Sequence, residues 1–260
     1  MPFVTLENAR IAYTVEGEGP PLVLVHGTAF DSAGTWGHLV EEFPGRTVIR
    51  PDFSGAGATT DSGGRLTERM LAEQVAAVVD EVCPGTPVDL VGFSLGAVVA
   101  AVVAATRPEL VRRLVLTAGW TRPDDPYLAT FMRTWYDLGR LDPVAFGRFG
   151  TLAAFSPPFL AAMGQQQVDA ICQSSRPTTG ALRQIDVNLT ADIRPLLTAI
   201  RAETLVIGCT RDATVPVGHA RELHAAISGS QYREIDSGHV VLFERPAEFA
   251  ALVRDFVHRA

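Results

Sequence analysis

The chain has no lysine. All 22 of its basic residues are arginines, so a Schiff-base lysine, a phosphate-loop lysine and a kinase lysine are excluded. Cysteine is scarce. Cys83, Cys172 and Cys209 are odd in number and far apart, so neither a disulfide framework nor a metal knuckle is indicated. Long apolar runs are missing as well. The longest, Leu95 to Ala105, is too short to cross a bilayer. The opening residues Met-Pro-Phe-Val-Thr-Leu-Glu lack the charged and apolar regions of a secretory signal, so a cytoplasmic protein without membrane contact is expected. Basic charge is in deficit, 22 residues against 29 acidic ones and a net charge of −7, which argues against nucleic acid as a partner.

What is present is a globular composition: 260 residues, 47% hydrophobic and 20% charged, enough for one sizeable core. The chain is organised around Val88–Ala97. An apolar, β-branched run leads into Gly92-Phe93-Ser94-Leu95-Gly96, and an Ala/Val-rich helix follows at once. This reads as strand, sharp turn and buried helix, with Ser94 held on the turn and its hydroxyl aimed out of the sheet. The start of that helix favours negative charge developing beside Ser94.

Phe3 to Leu6 and Arg10 to Val15 read as a hairpin. Leu22 to Val25, Thr47 to Ile49, Leu114 to Thr117, Thr204 to Gly208 and Gln231 to Ile235 are short apolar strands, and helices are expected between them. Trp36 to Phe43, Leu66 to Val82, Val217 to Ile227 and Phe243 to Val257 carry helical patterns. The alternation predicts an α/β fold: a mostly parallel central sheet with helices on both faces and ligands beyond the carboxyl ends of the strands. The rhythm breaks between residues 120 and 197, which hold helical patches and many aromatics but no buried strand. The expected division is a core of residues 1–119 and 198–260, with 120–197 inserted over the cleft as a mobile helical cap.

Three residues fall at strand exits in the order Ser94, Asp212, His239. A serine hydroxyl needs a base to take its proton, and the base needs a carboxylate to fix its tautomer. That set supplies nucleophile, base and orienting acid, so no cofactor and no metal is expected. The backbone N–H groups of Thr28 and Leu95 are the expected oxyanion donors. Asp124 or Asp125 offers a second position for the acid. His26 and Asp52 sit at loop positions that suit bracing, and His38, His219 and His224 are expected on the surface. Trp120, Trp135 and Val240 are the candidate substrate contacts.

Several stretches together resemble the α/β-hydrolase superfamily along essentially the whole chain. They are Leu-Val-His-Gly, Asp-x-x-Gly-x-Gly at 52–57, Gly-Phe-Ser-Leu-Gly, Gly-Cys-Thr-Arg-Asp-Ala-Thr-Val-Pro and Gly-His-Val-Val-Leu-Phe-Glu-Arg-Pro-Ala-Glu-Phe. Within it, the chain is similar to the small capped group that includes 3-oxoadipate enol-lactonases and aminoacrylate-hydrolase-like proteins. Phe53-Ser54 departs from the polar residue and Arg that many relatives carry there. The resemblance implies a serine hydrolase acting on a small-molecule ester, lactone or related carbonyl compound with an apolar portion. The alternatives are thioester or carbon–carbon bond hydrolysis, or a slow-turnover binding protein of the same fold. A monomer or homodimer is expected.

Overall fold

A computed structural model describes residues 1–258; residues 259 and 260, the end of the expected core, lie outside the described residues. The strands are β1 (Phe3–Leu6), β2 (Ala9–Glu16), β3 (Pro21–Val25), β4 (Thr47–Pro51), β5 (Thr60–Asp61), β6 (Val88–Phe93), β7 (Val111–Thr117), β8 (Glu203–Cys209) and β9 (Gln231–Ile235). They form one sheet in the order β1-β2-β4-β3-β6-β7-β8-β9, with β5 paired to β2. The β1–β2 and β2–β4 pairs are antiparallel. From β4 to β9 every pair is parallel, so all exits from these strands face the same edge.

The inner strands are apolar throughout because both sheet faces are covered. In β3 the side chains alternate: Val23 and Val25 join one core cluster, Leu22 and Leu24 the other. The first cluster surrounds helix α3 (Leu95–Thr106), whose residues 95–104 are all buried. A helix apolar on every side is stable only inside such a layer. Helix α2 (Glu68–Val82) packs beside it, started by Thr67, whose hydroxyl accepts the Met70 N–H. The opposite face is closed by helix α11 (Pro246–Val257) through Phe249, Val253 and Phe256.

Two expected helices take another form: the one over Trp36 to Phe43 is a 3-10 turn preceded by a short α-helix, and the C-terminal one is divided. The stretch after β3 forms helix α1 (Ser32–Trp36), capped by the Asp31 carboxylate, and then a 3-10 turn over Gly37–Glu42. The C-terminal helix divides into α10 (Val241–Glu244) and α11 because Pro246 has no N–H to continue the first. Helix α9 (Gly218–Ala226) lies between β8 and β9.

Between β7 and β8, among the described residues, run helices α4 (Pro126–Leu141), α5 (Pro143–Ala154), α6 (Pro157–Met163), α7 (Gln165–Ser174) and α8 (Thr179–Asn188). A 3-10 turn at Arg194–Ala199 returns the chain to the sheet. Aromatic stacks hold these helices together: Phe131 on Phe149 with centroids 4.8 Å apart, Trp135 on Phe146 at 5.1 Å and Phe155 on Phe159 at 5.5 Å. The Ile193 N–H donates to the Thr121 carbonyl, closing the segment at its base.

Candidate active site

Ser94 stands between β6 and α3 with φ 57° and ψ −122°, a left-handed conformation that a non-glycine residue holds only where its surroundings impose it. The flanking glycines allow this. A Cβ on Gly92 would lie 2.6 Å from Ala97 Cα, and one on Gly96 would strike the Val25 and His26 carbonyls. The Ser94 N–H donates to the Thr117 carbonyl at 2.9 Å, fastening the turn to β7.

Asp212 and His239 follow β8 and β9, strands that are neighbours in the sheet. The Ser94 hydroxyl donates to His239 Nε2 at 2.9 Å, and His239 Nδ1–H donates to Asp212 Oδ2 at 2.7 Å. The other Asp212 oxygen accepts the Thr214 and Val215 N–H groups at 2.8 and 2.7 Å, so the carboxylate is fixed before it meets the imidazole. All three side chains are buried: Ser94 is 5% exposed, His239 6% and Asp212 8%. Such a chain lets the imidazole take the serine proton while its cation faces a carboxylate. Cys209 lies buried below, and burial, reinforced by the charges of Asp212 and Glu244, pushes its thiol well above the usual range. It therefore stays protonated and offers no competing nucleophile.

The two oxyanion candidates stand on neighbouring turns. Leu95 is the first residue of α3, where N–H groups have no partner inside the helix. A Cβ on Gly27, the residue before Thr28, would lie 3.2 Å from Ser94 Cβ, so the two turns touch. The Thr28 hydroxyl is engaged by Asn188 of α8.

Other sequence candidates go elsewhere. His26 is fully buried and stacked on Phe53 at 3.8 Å. Its Nδ1–H donates to the Gly27 carbonyl, and Nε2 accepts the Phe53 N–H, a bracing role. Asp52 accepts the Ser32 N–H at 2.7 Å. Asp124 is exposed and pairs with Arg122 and Arg194, while Asp125 caps α4 by accepting the Leu128 N–H. Of the three candidate acids, Asp212 is the one bonded to His239. His219 was expected on the surface but is buried, 3.7 Å from Asp125, because α9 packs that face inward. Trp120 is wholly buried in the α3 core cluster, Trp135 packs against Phe146 and Gly150, and the Val240 N–H donates to the Ala154 carbonyl.

The sequence reading missed Glu244, which is 5% exposed. Its carboxylate accepts the Ser156 N–H at 2.6 Å, the Ser156 hydroxyl at 2.7 Å and the Gly238 N–H at 3.1 Å. It thus ties the turn before His239 to the corner between α5 and α6. An acidic residue five positions after a candidate base was the available signal.

A family model described as the alpha/beta hydrolase family matches residues 22–252. The chain belongs to that family. Pyrrolizixenacetamide deacetylase of Xenorhabdus hominickii is 40% identical over 258 residues, covering 98% of this chain and 97% of that protein. Among solved structures, this hydrolase superposes on MGS-M2, an alpha/beta hydrolase enzyme from a Medee basin deep-sea metagenome library. The TM-score is 0.91 at 20% identity, over 100% of this chain and 98% of the other. The enol-lactonase of Burkholderia xenovorans LB400 gives 0.87 at 22% identity, over 99% and 100%. At those identities the two structures establish the fold. No helix among the described residues is long and apolar enough to cross a membrane.

Proposed function

We propose that this hydrolase cleaves an acyl compound, an ester or lactone with an apolar portion, through an acyl-enzyme on Ser94. The observation that carries the reading is the unbroken hydrogen-bonded line from Ser94 through His239 to Asp212. In the first step Ser94 Oγ attacks the carbonyl carbon while His239 Nε2 takes its proton. Asp212 stabilises the resulting imidazolium. The N–H groups of Thr28 and Leu95 receive the oxyanion, and losing one such donor costs about 3–4 kcal/mol in the barrier. His239 then protonates the leaving group, and water repeats the sequence to free the acid.

The near-complete covering of Ser94 supports a cap role for residues 120–197, because substrate reaches the hydroxyl only when something above it gives way. Of the candidate substrate contacts, Val240 adjoins His239 and belongs to the proposed apolar wall, whereas Trp120 and Trp135 are taken up by core and inter-helix packing. The compartment in this reading is the cytoplasm. The 40% identity to a protein named as a deacetylase favours a second substrate class for the same machinery, an acetamide, whose amine leaving group makes the proton from His239 indispensable.

The test is a fluorophosphonate probe together with 4-nitrophenyl ester turnover. The protein labels at Ser94 and releases nitrophenol continuously, and Ser94→Ala does neither while melting as the parent does. Undiminished turnover in Ser94→Ala overturns the reading. Labelling without release makes the protein a binder.

A further inference from the structure

Helix α8 sets two amides one turn apart against the proposed oxyanion loop. Gln184 and Asn188 share a face by their spacing, and both are buried, at 0% and 1% exposure. Gln184 Oε1 accepts the Ala29 N–H at 2.9 Å, and its Nε2 donates to the Ser54 carbonyl at 3.1 Å. Asn188 Nδ2 donates to Thr28 Oγ1 at 3.0 Å and also approaches Met132 Sδ at 3.5 Å. The amides therefore grip the side chain of Thr28 and the peptide that follows it.

That peptide needs holding. Ala29 has φ 66°, a conformation an alanine keeps only when its neighbours over-determine it. Fixing the Thr28 side chain on one side and the Thr28–Ala29 peptide on the other leaves Thr28 little freedom to turn its own N–H. Gln184 also bridges to Ser54, which lies in the loop whose Phe53 N–H bonds His26. Apolar side chains of the same shape would pack α8 as well but would leave the Ala29 N–H and the Ser54 carbonyl unpaired, at about 1–3 kcal/mol for each buried group. Apart from the Asn188 contact with Met132 Sδ, the polar atoms converge on residues 28, 29 and 54.

We infer that Gln184 and Asn188 are positioning residues that hold the Thr28 N–H at its oxyanion station, which makes α8 a structural part of the oxyanion hole. The inference rests on the acyl-enzyme reading given above. It extends that reading by making the rate depend on a helix whose polar contacts go to the loops around Thr28 and Ser54.

The experiment compares Gln184→Met and Asn188→Ala with the parent in 4-nitrophenyl ester hydrolysis and in binding of a trifluoromethyl ketone. In that adduct Ser94 Oγ bonds to the ketone carbon, the proton passes to His239, and the former carbonyl oxygen becomes an oxyanion. Each variant should lose roughly tenfold to a hundredfold in kcat, with KM within about twofold and ketone affinity falling in parallel. Gln184→Glu keeps an acceptor for the Ala29 N–H and should recover part of the loss. Parent-like kcat and ketone affinity in both variants overturn the inference. So does a rise in KM that matches the fall in ketone affinity, because general loosening of the pocket would do that. If Gln184→Met fails to fold, Asn188→Ala decides on the same readouts. A parent protein that neither turns over ester nor binds the ketone defeats the acyl-enzyme reading instead, a result distinct from those.

Discussion

Replacing Glu244 with alanine should cost both stability and rate. The carboxylate accepts three hydrogen bonds, from the Ser156 N–H, the Ser156 hydroxyl and the Gly238 N–H. The hydroxyl can turn to another acceptor, but the two backbone donors cannot. Each buried donor left unpaired costs about 1–3 kcal/mol, so the expected loss is about 4 kcal/mol, a large part of an ordinary domain's total. For a chain of this size each kcal/mol moves Tm by about 2–4 °C, giving a fall of roughly 8–16 °C. Gly238 precedes His239, so freeing it lets the imidazole drift from Ser94, and a misplacement of about 1 Å costs about a hundredfold in rate. Glu244→Gln presents one donor where an acceptor is required and should fall between the two. Thermal melting and ester turnover of the three proteins provide the comparison. A melting point for Glu244→Ala within about 2 °C of the parent, with unchanged kcat, would refute the reasoning.

Asp212→Asn should lower kcat by about four orders of magnitude through the wrong imidazole tautomer. Asp124→Asn, on an exposed side chain, should leave kcat within about twofold, and the reverse ranking would move the acid to the earlier loop. Burial holds the His26 imidazole below its ordinary value of 6.5, so between the two values the unfolded chain binds more protons than the folded one. The stability from neutral His26 is complete above about pH 6.5 and drains as pH falls toward the lowered value, by at most about 1.4 kcal/mol per pH unit. Urea midpoints at pH 7 and 5 should show that slope reduced in His26→Gln, and an unchanged slope counts against it. Helices α6 and α7 contain no fully buried residue, whereas α8 buries Ala181, Gln184, Ile185, Val187 and Asn188. Amide exchange should therefore be fast in α6–α7 and slow in α8; equal protection would show that the outer helices do not open separately.

The strands were legible because a parallel sheet covered on both faces demands unbroken apolar runs, and Leu22 to Val25 or Leu114 to Thr117 satisfy nothing else of that length. The elbow was legible for a steric reason: Gly92 and Gly96 sit where any side chain would collide with backbone. Helix boundaries were read less well. The change from α-helix to 3-10 turn at Gly37, and the division at Pro246, depend on one or two residues inside a continuing helical pattern. Such a pattern reports which face is apolar and is silent about where the hydrogen-bond ladder stops.

The side chains that do chemistry were easier to find than those that hold them. Ser94, Asp212 and His239 each carry a local signature, a strand end followed by a turn. Glu244, Gln184 and Asn188 carry none, because the loops they tie down lie far off in sequence: Ser156 is 88 residues from Glu244, Ser54 and Ala29 are 130 and 155 from Gln184, and Thr28 is 160 from Asn188. For Gln184 and Asn188 the one trace in the sequence is polarity on an otherwise inward helix face, and without the fold that looks the same as a surface position. The tertiary contacts show why the inserted helices cannot be treated as a removable lid. The Tyr127 hydroxyl of α4 donates to the Ala213 carbonyl in the Asp212 loop. The α5–α6 corner is tied through Glu244 to the His239 loop, and α8 grips the loop of Thr28. Each loop that carries a candidate group after β3, β8 or β9 is thus fastened to a different helix of the insertion. Swinging the whole insertion away would break all three attachments together, at about 1 kcal/mol or more for each buried bond at Glu244 and Asn188 and less for the exposed Tyr127 bond. Opening by α6 and α7, which are attached to none of these loops except at the Ser156 end, leaves the arrangement intact.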